Sequence, residues 1–471
     1  MSSNAWIDLL GLIGSCLLSV AATIHILFHK RLPHNATLWI LVVWLMPVVG
    51  FLCYWYFGYN RVQRRLRVAG LPVPGRLGSG EKPLKLLGQN LTGLPLRGGN
   101  RVDLLEDGAE AYPAMLEAIA SATRSIDLLT YIFDADEVGE RFIAALTAAA
   151  SKGVKVRVLV DGVGAWGPLR RLRRSLGVPG IEFASFWRSD HLFHQPLLNL
   201  RNHRKLLIVD SQLAFTGSLN ISRRHHKGPL SRRPLRRWRP ALGSQHDLHF
   251  RLQGPLVADL IACFQEDWTQ THPGGKRAAG AVVKPKSAGS DLARVVSSGP
   301  DQTYERIYEL LLGGLRMAQK KVDLCTPYFI PDQALLALLR SLSLSGVHVR
   351  LLVPQQGDHA FLGWASRSYF RDLLQAGVEI WEIRGDFVHS KAVVVDGRWC
   401  LLGSCNLDPR SFLLNFETNI EVYSEGLAKK LSKVMEKYRA QASPVDLGSI
   451  KRQGFFPRLR DNIARLFSPI L

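Results

Sequence analysis

His389 to Glu417 reads HSKAVVVDGRWCLLGSCNLDPRSFLLNFE, and the spacing of His389 and Lys391 decides how the stretch folds. Side chains two apart on a strand share a face, so imidazole and ammonium project together. Ala392 to Val395 is apolar and mostly β-branched, and Asp396-Gly397 is a strong two-residue hairpin signal. The chain then returns as a second strand, Trp399 to Leu402, which carries Asn406 back towards His389. A nucleophilic or acid–base imidazole, a fixed cation and an amide donor suit attack on an anionic phosphodiester.

The same order occurs earlier. His203 and Lys205 precede Asp210, and Gly217-Ser218-Leu219-Asn220 follows, with the same offset of 14 from histidine to glycine as between His389 and Gly403. One short motif is weak, but a second copy at matched spacing is not a coincidence of composition. Flanking segments repeat too. Asp127-Leu-Leu-Thr130 matches Asp323-Leu-Cys-Thr326, and Gly153-Val-Lys-Val-Arg157 matches Gly346-Val-His-Val-Arg350. Helix and strand patterns alternate in both copies: helix at 109–123, strand at 125–133, helix at 137–151 and strand at 154–160, then strand at 322–330, helix at 333–344 and strand at 347–353. Two copies make a pseudo-dimer of α/β domains rather than a solenoid.

The 471 residues carry a net charge of +21, which calls for an anionic partner, lipid head groups or nucleic acid. Six scattered cysteines form no CxxC pair and no ligand spacing, which excludes a zinc-ribbon or disulfide framework and implies reduced thiols. Trp6 to Phe28 and Thr37 to Tyr56 are two long apolar runs, read as a transmembrane hairpin. Pro47 lies inside the second, where a membrane helix tolerates it. Met1 to Ala5 lacks Lys and Arg, against a signal peptide. Arg61, Arg64, Arg65 and Arg67 follow the second run, whereas the short loop holds Lys30 and Arg31. Positive-inside reasoning therefore puts the C-terminal part in the cytoplasm.

The expected organisation is a membrane hairpin (1–60), a basic Gly/Pro linker (61–100), a first α/β domain (101–275), a linker (276–300), a second α/β domain (301–445) and an amphipathic C-terminal segment (446–471). Ser222 to His246 interrupts the first copy with eight Lys or Arg and no acid before Asp247. It reads as a solvated loop or a membrane-surface contact. His225, His226, His246 and His249 cluster there, and the basic setting favours solvated or packing roles over a metal site.

The paired motifs resemble the phospholipase D superfamily. More narrowly, Tyr131-Ile132-Phe133, Asn202 to Lys205, Thr326 to Phe329, Trp364 to Phe370, Leu407 to Phe412 and Asn415 to Glu417 are similar to the two-span bacterial cardiolipin synthases. The resemblance implies two α/β domains with mixed sheets about a pseudo-two-fold axis. It also implies phosphatidyl transfer from one phosphatidylglycerol to another, with glycerol released. The implied nucleophile is His203 and the acid–base is His389, with the reverse assignment left open. Lys205, Lys391, Asn220 and Asn406 would hold the phosphoryl oxygens. Asp247 and Glu417 match acids that brace the histidine of their own motif. Asp210 and Asp396 complete the motifs, and as turn formers they have an equally good structural reading.

Neither a nucleotide nor a metal motif is present, and exchange of one phosphodiester for another is near thermoneutral, so no cofactor is expected. The expected partners are phosphatidylglycerol and an anionic membrane surface, not nucleic acid, at a bacterial inner membrane. A phospholipase using water, a nuclease and a non-catalytic scaffold are the competing readings. Two apolar runs oppose the nuclease, and intact motifs oppose the scaffold.

Overall fold

The computed structural model describes residues 3–29, 33–58, 82–186, 200–225, 245–271, 284–300 and 305–468. Two compact units separate, one built on the N-terminal helices and one on the remainder.

In the N-terminal unit, the first apolar run is one helix, Ser3–His29, whose Leu9–His29 part is long and apolar enough to cross a membrane. The second run differs from expectation. It is broken into helix Pro33–Leu45 and helix Pro47–Cys53, followed by a π-turn at Tyr54–Gly58. Proline has no N–H and its ring opposes the preceding turn, so Met46 leaves helical geometry at φ −139°. Gly50 is needed just after the break, because a Cβ there would meet the Val42 carbonyl at 2.4 Å. The helices hold each other through Ala22, Ile26, Val43 and Tyr54, with Ser19 Oγ donating to Val43 O (3.1 Å).

In the larger unit, the first half contributes β1 (Arg97–Glu106), β2 (Ser125–Thr130), β3 (Lys155–Asp161), β4 (Ile181–Phe186), β5 (Arg201–Asn202), β6 (Leu206–Val209), β7 (Leu213–Gly217), β8 (Gln245–His246) and β9 (Leu248–Gln253). The second contributes β10 (Asp291–Ser298), β11 (Lys321–Cys325), β12 (His348–Pro354), β13 (Glu379–Ile383), β14 (Phe387–Val388), β15 (Ala392–Val395), β16 (Trp399–Gly403), β17 (Asn415–Tyr423) and β18 (Ala442–Pro444). The orders β1-β9-β7-β6-β2-β3-β4 and β10-β17-β16-β15-β11-β12-β13 are the same path traced twice, and β1 and β10 join them antiparallel. β2-β3-β4 and β11-β12-β13 are parallel, as helical crossovers require, and the hairpins β6-β7 and β15-β16 run antiparallel against them.

Each half has its own core. Leu128, Val158, Leu207 and Phe215 pack with helices Asp107–Ala120 and Glu137–Ser151 in the first. Leu324, Leu351, Val393 and Leu401 pack with helices Arg306–Arg316, Gln333–Leu344 and Ala360–Gln375 in the second. Asp136 and Asp332 cap their helices through side-chain oxygens, the terminal N–H groups being otherwise unpaired.

Both expected linkers contain structure. Helix Pro83–Thr92 lies within 61–100, and its Leu84 is buried in the second half's core. β10 lies within 276–300 and pairs with β17 along its length. Ala293, Val295 and Val296 alternate imperfectly among polar residues, which masked the strand. Of the basic loop, residues 226–244 lie outside the described residues.

Most important for the site are two short exchanges between the halves. β5 pairs parallel with the start of β17, Arg201 opposite Asn415 and Asn202 opposite Phe416. β14 pairs parallel with β8, Phe387 opposite Gln245 and Val388 opposite His246. The backbone N–H groups that follow continue the pattern: His203 donates to Phe416 O (2.9 Å) and His389 to His246 O (2.8 Å). Each motif histidine is therefore delivered against the other half.

Candidate active site

The His-x-Lys pairs sit where the exchanged segments enter β6 and β15, and the GSxN segments leave the partner strands β7 and β16. Gly217 and Gly403 adopt φ 151° and 154°, and a Cβ at either would lie 2.5 or 2.3 Å from a carbonyl of the neighbouring strand. Only glycine permits so close an approach. That approach lets Ser218 and Ser404 reach the acids: Ser218 Oγ donates to Asp247 Oδ1 (2.7 Å) and Ser404 Oγ to Glu417 Oε2 (2.5 Å).

The acids brace the histidines across the halves. His203 Nδ1 lies 3.0 Å from Glu417 Oε1, and His389 Nδ1 lies 2.8 Å from Asp247 Oδ1. This corrects the expectation that Asp247 and Glu417 serve the histidines of their own motifs. The reason is the β5–β17 and β8–β14 exchange, which puts each acid's strand beside the opposite histidine. An ionised carboxylate only accepts, so Nδ1 carries the proton and Nε2 is left with its lone pair.

His203, His389, Asn220 and Asn406 all line one cavity of about 990 Å³. Lys391 Nζ donates to His389 Nε2 (3.2 Å) and to His389 O (2.7 Å), while Lys205 Nζ donates to His203 O (2.6 Å). Asn220 Oδ1 accepts from Ile132 N (3.2 Å). The Asn406 side-chain oxygen is buried with no hydrogen-bond partner among the described residues.

Burial sets the charge state of this cluster. Desolvation lowers His203 to about 4, against the opposing pull of Glu417. It lowers His389 to about 3, with Lys391 adding to the effect. Both imidazoles are neutral at neutral pH. Desolvation also lowers Lys205 to about 7 and Lys391 to about 8. For Glu417, burial works upwards but is outweighed by His203 and Lys205, which keep it below the usual range. Asp247 is likewise held down by His225 and His389 against its own burial. The site thus holds two carboxylates, two neutral imidazoles and two easily neutralised ammonium groups, an arrangement that an incoming anion completes.

The sequence matches the family described as "Cardiolipin synthase, PLD-like domain" over residues 115–229 and 311–439. Residues 17–58 match "Phospholipase_D-nuclease N-terminal". The chain is 31% identical to a cardiolipin synthase of Geobacillus sp. (strain WCH70), covering 98% of this chain and 94% of that one. It is 31% identical to a cardiolipin synthase of Clostridium perfringens (strain 13 / Type A), covering 94% and 95%.

The chain belongs to the cardiolipin synthase family.

A phosphatidylserine synthase from Haemophilus influenzae shares the fold, with a TM-score of 0.62 at 16% identity, covering 83% of this chain and all of that one. The N-terminal apolar helix and the family assignment together support membrane association.

Against this cardiolipin synthase family site, Asp210 and Asp396 are structural. They lie at the far ends of β6 and β15 from the lysines, with φ 52° and 51°, and do not line the cavity. Paired with Ser211 (φ 59°) and Gly397 (φ 66°), they form hairpin turns with two left-handed residues. Asp210 accepts from the backbone N–H of Thr123, Arg124 and Ser125, and Asp396 from those of Gln319, Lys320 and Lys321. Each pins the strand that starts beside its turn. Asp210→Ala is therefore expected to lower stability by about 0.5–1.5 kcal/mol by removing those hydrogen bonds. Its kcat should stay within about twofold of the parent, since no transition-state contact is removed. Chemical denaturation in detergent and an initial-rate assay on the same sample check this.

His225 takes the packing alternative of the sequence reading, not the solvated one. It is buried, and its Nδ1 lies 2.5 Å from Asp247 Oδ2, so Asp247 holds two histidines where Glu417 holds His203 and the Asn415 amide (3.1 Å). His225, Asp247 and His389 offer ligand atoms within 4.8 Å of one another and are the group that could hold a cation among the described residues. Both Nδ1 atoms are already engaged by the carboxylate. Sequence reasoning also passed over Arg201, Arg224, Tyr328, Asp358 and Arg410, which line the cavity. Tyr328 and Arg410 stood within the quoted Thr326–Phe329 and Leu407–Phe412 blocks, the one signal that marked them. Tyr131 packs its ring edge against His203 at 4.9 Å and fixes the imidazole plane.

Proposed function

We propose that the chain transfers a phosphatidyl group from one phosphatidylglycerol to the glycerol hydroxyl of another, forming cardiolipin and releasing glycerol. The observation that carries this is the convergence of two cross-braced imidazoles and two asparagines on one cavity, with a buried lysine held against the backbone of each histidine. His203 is the better nucleophile. It is the one histidine described on Glu417, while His389 shares Asp247 with His225 and has its Nε2 engaged by Lys391.

In the first step His203 Nε2 attacks phosphorus, the P–O bond to glycerol breaks, and His389 supplies the proton that glycerol takes. The phosphodiester's own negative charge raises the basicity of both imidazoles and lets one of them carry that proton. In the second step the hydroxyl of the second lipid gives its proton to His389 and attacks phosphorus, and the P–N bond to His203 breaks. Lys205, Lys391, Asn220 and Asn406 bear on the non-bridging oxygens, where charge grows in both transition states. Buried donors suit this role because they need little reorganisation.

The reading places both apolar runs in a bacterial inner membrane, with the catalytic unit on the cytoplasmic side and anionic lipid as its surface. The charge of +21 supports an anionic leaflet as the surface met by the protein. The test is incubation of full-length protein with phosphatidylglycerol liposomes and mass-spectrometric quantification of products. Cardiolipin with equimolar glycerol supports transfer. Phosphatidic acid with little cardiolipin would make water the acceptor and the protein a phospholipase.

The pH dependence follows from the lysines. Both are charged below their pKa and lose that charge as pH rises through it. With Lys205 near 7 and Lys391 near 8, kcat/KM is expected to fall on the alkaline side from about pH 7 to 8. The kcat limb should lie higher, because bound phosphodiester holds the protons in place. A kcat/KM profile flat to about pH 9 would contradict this account of the free site.

A further inference from the structure

Helix Phe455–Leu466 is amphipathic, and it docks with its polar side inward. Asp461, Ala464 and Ser468 are buried. Asp461 accepts from Gln453 Nε2 (2.9 Å) and from Arg460 Nε and Nη2 (2.9 and 2.7 Å). The host is helix Ala360–Gln375: Tyr369 Oη and Ser468 Oγ are 3.0 Å apart, and the Arg460 and Arg465 guanidiniums lie 4.7 and 4.5 Å from the rings of Trp364 and Tyr369. The outward stripe is apolar. Phe455, Phe456 and Leu466 are 72%, 79% and 75% exposed, and Leu459, Ile463 and Phe467 are exposed beside them. A helix that merely completed a water-soluble domain would be turned the other way, and an apolar patch this large marks a contact surface.

Two further features say what it contacts. Beside the stripe, Arg367, Arg371, Lys451, Arg458 and Arg465 line a cavity of about 350 Å³ that also holds Asp372 and Asp461. The stripe also reaches the catalytic cavity, because Phe467 packs edge-on against Phe361 (5.6 Å), and Phe361 and Leu362 line that cavity. A second copy meeting the same face through a two-fold axis would set like charges against each other. An anionic leaflet would neutralise them.

We infer that this helix lies in the interfacial plane of an anionic bilayer, its phenylalanines among the acyl chains and the basic cavity taking a lipid phosphate. The Phe467–Phe361 contact then joins the leaflet to the mouth of the catalytic cavity. This deepens the reading of the chain as a membrane-bound phosphatidyltransferase and rests on it, but docking needs no chemistry, so the two can fail separately.

The test uses full-length protein in liposomes, with Cys16→Ser and Cys53→Ser and a bimane label at Phe456→Cys. Doxyl-lipid quenching is expected to be about twofold or more stronger in phosphatidylglycerol than in phosphatidylcholine liposomes, and to persist in a His203→Ala background. Phe455→Ser/Phe456→Ser/Leu466→Ser should lose about tenfold in turnover on liposomes and stay within about twofold on monomeric short-chain phosphatidylglycerol. A label quenched by aqueous iodide but not by doxyl lipid would overturn the inference. So would equal losses on both substrates, or label shielding that grows with protein concentration in detergent, which would make the occupant a second copy.

Discussion

His203→Ala is expected to lower cardiolipin formation by about 10⁴-fold or more, while the protein remains folded and inserted. The size of the loss reflects removal of the atom to which the phosphatidyl group is bonded between the two half-reactions. Alanine leaves Glu417 without His203 but still in contact with Ser404 and Asn415, so the core does not acquire an isolated carboxylate. Lys205, Lys391 and both asparagines also stay in place and continue to bind the phosphodiester. KM should therefore change far less than kcat. Steady-state kinetics on phosphatidylglycerol liposomes, with denaturation midpoints measured alongside, separate a chemical defect from an unfolded one.

The second large effect concerns the exchanged acids. Glu417→Gln is expected to cost about 10²–10⁴-fold, because a glutamine can present its NH₂ to His203 Nδ1 and so favour the tautomer whose Nε2 carries the proton. That nitrogen could no longer attack. Asp247→Asn disturbs His389 and His225 instead. The two variants separate on a lipid-like phosphodiester whose leaving group is as acidic as p-nitrophenol, which needs no proton to depart. Glu417→Gln should still slow the first step by at least about tenfold, and Asp247→Asn should release p-nitrophenol within about threefold of the parent rate. If the acids braced the histidines of their own motifs, the pattern would be reversed.

These two carboxylates also mark the limit of what the primary structure discloses. His203, Lys205, His389, Lys391 and the asparagines are legible because the His-x-Lys spacing leads directly into an apolar strand with a glycine-defined return, and the duplication repeats it. Fold class followed from the same alternation, and helices such as Glu137–Ser151 and Gln333–Leu344 begin and end where the pattern says. The partnership of His203 with Glu417 spans 214 residues, and that of His389 with Asp247 spans 142. Both depend on two-residue strands that have no periodicity to read. An acid near its own motif in sequence was the natural partner, and tertiary exchange overrode it.

Asp210 and Asp396 were legible both as motif members and as turn formers, and the geometry decides for the turn. They belong to the motif by spacing, but their left-handed backbone and three N–H donors apiece make them anchors of β2 and β11 rather than parts of the chemistry. For His225 the basic surroundings left solvent and packing both open, and a buried carboxylate distant in the pattern decided for packing. The C-terminal segment was legible as amphipathic, but only its docking through Asp461 and Ser468 shows which face points outward.

The measurement that tests the central claim most directly is rapid acid-free quenching of full-length protein turning over isotopically labelled phosphatidylglycerol, followed by peptide mass spectrometry. The account predicts a labelled phosphatidyl group on His203, formed fast enough to support turnover and absent in Glu417→Gln at the same time point. A label on His389 would reverse the roles of the two histidines. Full turnover with no covalent adduct on either would contradict the two-step mechanism itself.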